Sequence, residues 1–457
     1  MKPITIKEIL AAVGGKLLCG DENAVFTDVC TDTRKITQGS LFVPLVGERF
    51  DAHDFISDAL KQGCAASFSS RENISADKPV IYVPNTRRAL GMLAAYYRQK
   101  FAIPVVAITG SVGKTTVKEL TATVLSARLN VLKTAGNFNN EIGLPLTLFR
   151  LEDYHEIAIT EMGMSGFGEI DLLASMAKPD LGIMTNIGLS HIEKLGSQEN
   201  IYKAKAELFR HIKPGGTVIL NGDDPILSAH KDEIKHKLIT VGLTPESDLY
   251  ATDINAGADS LSFTVVYGKE KASVTLAFPG EHNVTNALLA CAAGLQYGIS
   301  LQDAAKALGT YIPADRRMQF IDAGGITIIN DCYNAAPASM AAALRVLCNQ
   351  KGRKIAVLGD IKELGEHTKS AHEEIGALAQ QLSVDALFTL GEHAKFIASG
   401  AKGAGMSPEQ VFVFDKIDDL NQSLGEMTKP GDTVLVKASR AMHLEQVTEF
   451  LMAKINH

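Results

Sequence analysis

The 457-residue chain has no C-x-x-C pair, no apolar run of membrane-spanning length, no short-period repeat and no low-complexity tract. Each absence removes a class of protein. The six cysteines, Cys19, Cys30, Cys64, Cys291, Cys332 and Cys348, are scattered. They read as buried thiols in a reducing compartment, not as a zinc site or a disulfide frame. A spanning helix would need about 20 consecutive apolar residues. The opening Met1-Lys-Pro-Ile-Thr-Ile-Lys-Glu-Ile-Leu mixes a glutamate with polar and apolar residues, which makes a poor signal peptide. Positive charge is also in deficit: 45 Lys and Arg stand against 52 Asp and Glu, a net charge of −7. That argues against a general nucleic-acid binder but leaves room for a local basic pocket that holds phosphates. The expectation is a cytoplasmic enzyme.

What is present is 46% hydrophobic content with 21% charge, ordinary for a globular chain with proper cores. The length suggests about three domains. The pattern reads as three α/β blocks, 1–84, 85–313 and 314–457. The first carries short strand-like pieces, Ser40-Leu-Phe-Val-Pro and Val80-Ile-Tyr-Val, and a helix from Asp54 to Gln62 stopped by Gly63. The second opens with a helical segment, Thr86 to Lys100. Near-continuous apolar runs follow at Val105, Glu156, Leu181 and Gly216, as a buried, mostly parallel sheet requires. Around Leu261 and Ala272 the runs alternate polar with apolar residues, which suggests an antiparallel edge. A helix from Asn283 to Gln296 closes the block. The third block begins near Pro313-Ala-Asp-Arg-Arg. Its strand candidates at Ile326, Lys354, Asp385 and Asp432 end in Asp331, Gly359-Asp360, Gly391 and Lys437 to Arg440. Ligands bind at such strand ends in open α/β sheets.

The most informative stretch is Val105-Val-Ala-Ile-Thr-Gly-Ser-Val-Gly-Lys-Thr-Thr116. A β-branched run stops at Gly110, Ser111, Val112, Gly113, Lys114, Thr115 and Thr116, and a helix-like segment from Val117 follows. Glycines let main-chain N–H groups converge on phosphate oxygens, and the helix dipole favours the anion. Lys114 can reach the β- and γ-phosphates, and the Thr115 hydroxyl can ligate Mg²⁺. Ile108 stands where the general pattern G-x-x-x-x-G-K-[ST] has its first glycine. The alternative is an ordinary strand–helix turn with a surface lysine.

Other groups admit two readings each. Glu161 ends a strand ahead of Gly163, Gly166 and Gly168; it is a Mg²⁺ ligand or a solvated acid. His191 follows Met184-Thr-Asn-Ile-Gly-Leu-Ser as a second metal ligand or a structural histidine. Gly136-Asn137-Phe-Asn139-Asn140-Glu-Ile-Gly143 fixes a polar ligand with its amides, or is an Asn/Gly turn. Asn283 and Asn286 lie one helical turn apart, to meet a nucleobase or to cap the helix. Arg316-Arg317 would neutralise a transferring phosphoryl group on domain closure, or form a surface pair. Lys205, in Ala204-Lys-Ala-Glu-Leu-Phe, is by itself an ordinary helix lysine.

In order along the chain, Gly110 to Thr116, Glu161-Met-Gly-Met, His191, Ala204-Lys205-Ala-Glu-Leu-Phe, His282-Asn-Val-Thr-Asn286 and Arg317 resemble the Mur ligase superfamily of ATP-dependent amide-forming enzymes. Three further stretches are similar to the branch that joins D-alanyl-D-alanine to UDP-N-acetylmuramoyl-tripeptide. They are Thr31-Asp-Thr33-Arg34-Lys with Gly39 to Phe55, Gly136 to Pro145, and Gly359-Asp-Ile-Lys-Glu-Leu-Gly-Glu366. The resemblance covers essentially the whole chain.

The resemblance implies a first domain that binds the UDP-sugar, with Thr31, Thr33 and Arg34 among its contacts. A central ATP-binding domain and a Rossmann-like third domain that helps to bind the dipeptide would follow. It implies ATP and Mg²⁺ as cofactors and a carbamylated Lys205 as a metal ligand beside Thr115, Glu161 and His191. Catalytic roles would fall to Lys114, Lys205, His191, Glu161 and Arg317. Asn283 and Asn286 would lie near the adenine, and Arg317 and Asp331 near the nucleotide. Asn137, Asn139, Asn140, Tyr333 and Asn334 would meet substrate. It also implies a role in cytoplasmic peptidoglycan precursor synthesis, and hence in cell shape and division, by a monomer. The sequence departs from the family pattern at Cys332 and Ala336, where serine and asparagine are usual, and at Ala438 in place of a glycine. The competing readings are a related ligase that adds a single amino acid, a phosphate-loop kinase and a nucleotide switch.

Overall fold

The computed structural model describes residues 1–47, 50–74, 76–313 and 316–454. Glu48 and Arg49, within the Gly39–Phe55 stretch, lie outside the described residues, as do Ala314 and Asp315 beside the expected boundary at 313.

Three principal sheets organise the chain. The first has strands β1 (Lys16–Cys19), β2 (Asp28–Cys30), β3 (Ser40–Phe42), β4 (Ala66–Ser69) and β5 (Val80–Tyr82), in the order β1-β5-β4-β3-β2. Strands β2 to β5 pair in parallel and β1 is antiparallel. A 3-10 turn over Ala52–Phe55 leads into helix α1 (Ile56–Gln62), so the expected helix begins as a tighter coil. Gly63 ends it at φ 124°, a conformation that a side chain would resist.

Helix α2 (Thr86–Arg98) follows, capped by the Asn85 side chain on the Arg88 amide. The central sheet has β6 (Val105–Thr109), β7 (Val131–Lys133), β8 (Ile157–Glu161), β9 (Leu181–Met184), β10 (Thr217–Asn221), β11 (Lys237–Gly242), β12 (Leu249–Ala256), β13 (Leu261–Tyr267) and β14 (Glu270–Leu276). Their order is β14-β13-β12-β11-β10-β9-β6-β8-β7. Every residue of β6, β8 and β9 is buried, which explains their near-continuous apolar sequences. In β13 and β14 buried and exposed residues alternate, and the two pair antiparallel, as the sequence pattern suggests.

Helices α3 (Lys114–Leu125), α4 (Ile192–Leu195), α5 (Gln198–Ala206) and α6 (His282–Gln296) carry the candidate residues. The last sheet has β15 (Gln319–Ala323), β16 (Ile326–Asn330), β17 (Lys354–Gly359), β18 (Ala386–Leu390), β19 (Val411–Phe414) and β20 (Thr433–Lys437), ordered β15-β16-β20-β17-β18-β19. Only β15 runs antiparallel. Ile328, Val357, Phe388, Val434 and Val436 form its core with Leu420 and Leu424.

Packing divides the chain into two compact units. One comprises Met1–Thr109, Arg128–Ile183 and Ala206–Val218; the other comprises Gly110–Ala127, Met184–Lys205 and the chain from Ile219. The fold is α/β with mostly parallel sheets, as expected from the apolar runs. No described helix is long and apolar enough to cross a membrane.

Candidate active site

The phosphate-loop sequence becomes a loop held open from behind. β6 ends at Thr109, and Gly110 takes φ 149° against the Thr185 hydroxyl, where any Cβ would collide. Gly113 takes φ 84°, and a Cβ there would reach 2.9 Å from Oδ1 of Asn286. Between them the loop is stapled to the segment after β9. The Thr185 hydroxyl donates to the Val112 carbonyl at 2.6 Å, and the Asn186 amide donates to the same oxygen at 3.0 Å. Oδ1 of Asn186 accepts from the Val112 amide at 3.0 Å, and the Ser111 hydroxyl accepts from the Gly188 amide at 2.9 Å. The missing first glycine is explained: Ile108 belongs to the buried strand, where it pairs with Glu161.

Lys114 starts α3 and folds back onto the carbonyls of Gly110 at 2.6 Å and Ser111 at 3.1 Å. Thr115 is buried in the first turn, and Thr116 is half-buried beside it. Lys205, on α5, is 1% exposed and donates to the Gly110 carbonyl at 3.1 Å. Burial pushes its amine well below its ordinary range, and the Lys114 cation pushes it further the same way. The lysine that seemed an ordinary surface charge is therefore a buried amine under the loop. Asn283 and Asn286 are buried on α6, joined by a 3.0 Å hydrogen bond. The helix cap is Glu281, and the Asn283 amide instead donates to the Pro279 carbonyl at 3.0 Å.

Glu161, 2% exposed, ends β8 and accepts the Asn139 side-chain amide at 2.8 Å. The three amides of the Gly136 stretch thus have separate surroundings. Asn139 touches Glu161, Asn140 caps the Gly143 amide at 2.9 Å, and Asn137 is exposed. His191 precedes α4 with φ 66°, and its Nδ1 sits in close ion-pair contact with the Glu363 carboxylate, which falls below the ordinary carboxylate range chiefly through the His191 ring.

Beyond β16, Asp331 accepts Nζ of Lys437 at 2.5 Å and the Met318 amide at 3.1 Å. Lys437 also donates to the Asn334 carbonyl at 3.0 Å. The Arg317 guanidinium lies 4.1 Å over the Tyr333 ring, and that of Arg440 lies 5.6 Å from it. Arg316 turns instead to Glu445 at 3.2 Å. In the first sheet Arg34 forms a two-pronged pair with Asp32, at 2.9 and 2.8 Å, while Thr31 and Thr33 are half-buried.

Sequence reasoning missed four residues. Thr185 and Asn186 hold the loop, Glu363 holds His191, and Lys437 holds Asp331. Thr185-Asn186 could have been found as the first polar pair after a wholly apolar strand. Glu363 and Lys437 stand in stretches that the sequence singles out, but their partners lie 172 and 106 residues away and nothing local announces the pairings.

Taken singly, Thr115 offers a hydroxyl, Glu161 a buried carboxylate and His191 an imidazole, each a donor of a kind that holds divalent cations. Among the described residues no three His, Cys, Asp or Glu side chains gather as a metal site. The cradle that a Cβ at Gly110 or Gly113 would fill suits a phosphate.

Three family models cover most of the chain: a Mur ligase catalytic domain over residues 25–98, a Mur ligase middle domain over 108–294, and a Mur ligase glutamate ligase domain over 316–440. The UDP-N-acetylmuramoyl-tripeptide–D-alanyl-D-alanine ligase of Bacillus subtilis is 41% identical over 98% of both chains. That of Escherichia coli is 34% identical over 99% of both. A crystal structure of MurF from Acinetobacter baumannii superposes with a TM-score of 0.91 at 33% identity, covering 99% of both chains. MurF from Thermotoga maritima, solved in complex with ADP, gives 0.85 at 28% identity, over 94% of this chain and 98% of that one. With its glycine loop, its buried lysine and these relatives along its whole length, the chain belongs to the Mur ligase family, among the UDP-N-acetylmuramoyl-tripeptide–D-alanyl-D-alanine ligases.

Proposed function

We propose that this chain is an ATP-dependent ligase that joins D-alanyl-D-alanine to UDP-N-acetylmuramoyl-tripeptide in cytoplasmic peptidoglycan precursor synthesis, acting as a monomer. The observation that carries this reading is the phosphate loop stapled open over a fully buried Lys205 amine. Residues 1–84 would bind the UDP-sugar through Thr31, Thr33 and Arg34, 85–313 would bind ATP, and 314–457 would form the Rossmann-like domain that closes on both.

A carboxylate is a poor electrophile, so the reaction needs a leaving group. A terminal carboxylate oxygen of the tripeptide attacks the γ-phosphorus. The bond to the β-phosphate oxygen breaks, ADP leaves, and an acyl phosphate forms. The D-alanyl-D-alanine amine then attacks the acyl carbon; the amide bond forms, phosphate leaves, and the amine gives up its proton. Two anions must meet in the first step. Lys114 and Arg317 offset their repulsion and the charge spread over the phosphoryl oxygens. Asn283 and Asn286 hold the adenine, Asp331 faces the nucleotide, and Asn137, Asn139, Asn140, Tyr333 and Asn334 orient the acceptors. Mg²⁺, held by Thr115, Glu161, His191 and Lys205, would supply further neutralisation of the phosphates.

Lys205 joins that set only as an anion. A neutral amine can attack CO₂, forming an N–C bond and releasing a proton to water, which yields a carbamate. Burial and the Lys114 cation both lower the amine's hold on its proton, which favours the reactive neutral form, and the carbamate would then be the counter-charge to Lys114. Purified protein should release phosphate at a useful rate only when tripeptide nucleotide and D-alanyl-D-alanine are both present. Equal release without the dipeptide would sink the ligase reading; preference for meso-diaminopimelate, lysine or glutamate as acceptor would point to a single-amino-acid ligase.

A further inference from the structure

The loop after β17 turns onto the segment after β9. Glu363 pairs with Nδ1 of His191, and its backbone carbonyl accepts the Glu193 amide at 3.2 Å. Two residues on, a Cβ added to Gly365 would come within 3.2 Å of the Glu193 Cα. Both members of the pair hold left-handed backbones, His191 at φ 66° and Glu363 at φ 65°. Such conformations cost roughly 1–3 kcal/mol for a residue with a side chain, and persist where surrounding contacts impose them. A simple surface ion pair would need none of this: it contributes at most about 1 kcal/mol and leaves the backbone relaxed.

We propose that Glu363 is a positioning residue for His191. The proposal rests on the metal role given to His191 above. A carboxylate can only accept, so the Nδ1 facing it carries the ring proton and the Nε2 lone pair is left as the cation donor. The carboxylate also fixes the ring plane, as outer partners of metal-bound histidines do. Glu363 touches no reacting atom and acts through the imidazole alone. The loop after β17 thereby supports a histidine of the segment after β9, within one compact unit.

The test measures Mn²⁺ binding to the full-length protein by electron paramagnetic resonance, with a non-hydrolysable ATP analogue present, for the parent, H191A, E363A and E363Q. Loss of an outer partner of a metal ligand typically weakens binding by about 10- to 100-fold. E363A should fall in that range with H191A, and E363Q should lose several-fold because its amide oxygen still accepts from Nδ1. Thermal unfolding of E363Q should match the parent. Parent-like Mn²⁺ binding in E363A, with H191A weakened, would overturn the positioning role and leave the metal assignment standing. Parent-like binding in H191A would overturn both. If E363A fails to fold, E363Q decides: affinity equal to the parent's removes the proposal.

Discussion

Lys205 and Lys437 are buried almost equally, at 1% and 2% exposure, yet their surroundings are opposite. Lys437 meets the Asp331 carboxylate and two carbonyls, so its charge is matched on the spot. Among the described residues Lys205 has one hydrogen bond, to the Gly110 carbonyl, and it faces a second cation, Lys114. A buried charge is costly unless paired. Lys437 is therefore read as a brace that ties the end of β20 to Asp331 and Asn334. Lys205 lacks such a counter-charge and its amine holds its proton less tightly than usual, which is why the proposed function makes it the lysine to be modified. Similar burial carries different meaning according to the partner supplied.

The largest expected effect is on chemistry at the unmatched lysine. Lys205→Ala should lower kcat on the order of 10³-fold, the scale of a lost charge-stabilising group, and bicarbonate should not restore it. Near-normal turnover would remove the carbamate. Stability should follow the reverse pattern. Lys437→Met leaves Asp331 without its partner and should cost about 3 kcal/mol in urea unfolding, much of it recovered when Asp331→Asn is added. Lys205→Met should not destabilise the bicarbonate-free protein at all.

The pH dependence sharpens the contrast. The folded state depresses the Lys205 pKa below its ordinary 10.5, whereas the unfolded chain binds the proton normally. The resulting penalty is absent above that pH and grows as pH falls below it. The Tm advantage of Lys205→Met should therefore widen from pH 10 toward pH 7. A constant or reversed difference would show that the amine is matched after all. Next in size is Gly113→Ala. Its φ of 84° costs a side chain about 1–2 kcal/mol and brings Cβ against Asn286. Tm should fall by about 2–4 °C for that strain, and the KM for ATP should rise about tenfold, the binding equivalent of 1.4 kcal/mol, as the loop moves off the phosphate position.

The smallest effect concerns a lysine matched at the surface. Lys100 pairs with Glu8 at 2.7 Å, and that hydrogen bond, with the Thr5 amide, holds the Glu8 carboxyl down to about 2. A lowered carboxyl pKa stabilises above its unfolded value of 4.5 and loses that contribution as pH falls toward 2. Glu8→Gln should cost no more than about 1 kcal/mol at pH 7 and nothing near pH 2, as followed by Tm.

Much of the frame was legible because buried parallel strands write themselves as apolar runs. Val105–Thr109, Leu181–Met184 and Thr433–Lys437 lie where those runs predict. Strands β1, β2, β4, β7, β11, β12, β15 and β19 are not picked out by the sequence pattern. Lys16-Leu-Leu-Cys and Gln319-Phe-Ile-Asp-Ala are edge strands without a clean period, and they gain their form from neighbours distant in sequence. The loop Gly110–Thr116 was legible because backbone geometry demands its glycines. The condition of Lys205 was not. Its helix has the polarity of a surface helix, and only the fold puts the amine beneath the loop. The partners Glu363 and Lys437 were hidden for the same reason.

Carbon-13 nuclear magnetic resonance of the protein equilibrated with ¹³C-bicarbonate tests the reading of Lys205 most directly. The parent should show a carbamate carbon signal that disappears in Lys205→Ala and persists in Lys437→Met. An active parent without that signal, or a signal that survives in Lys205→Ala, would contradict it.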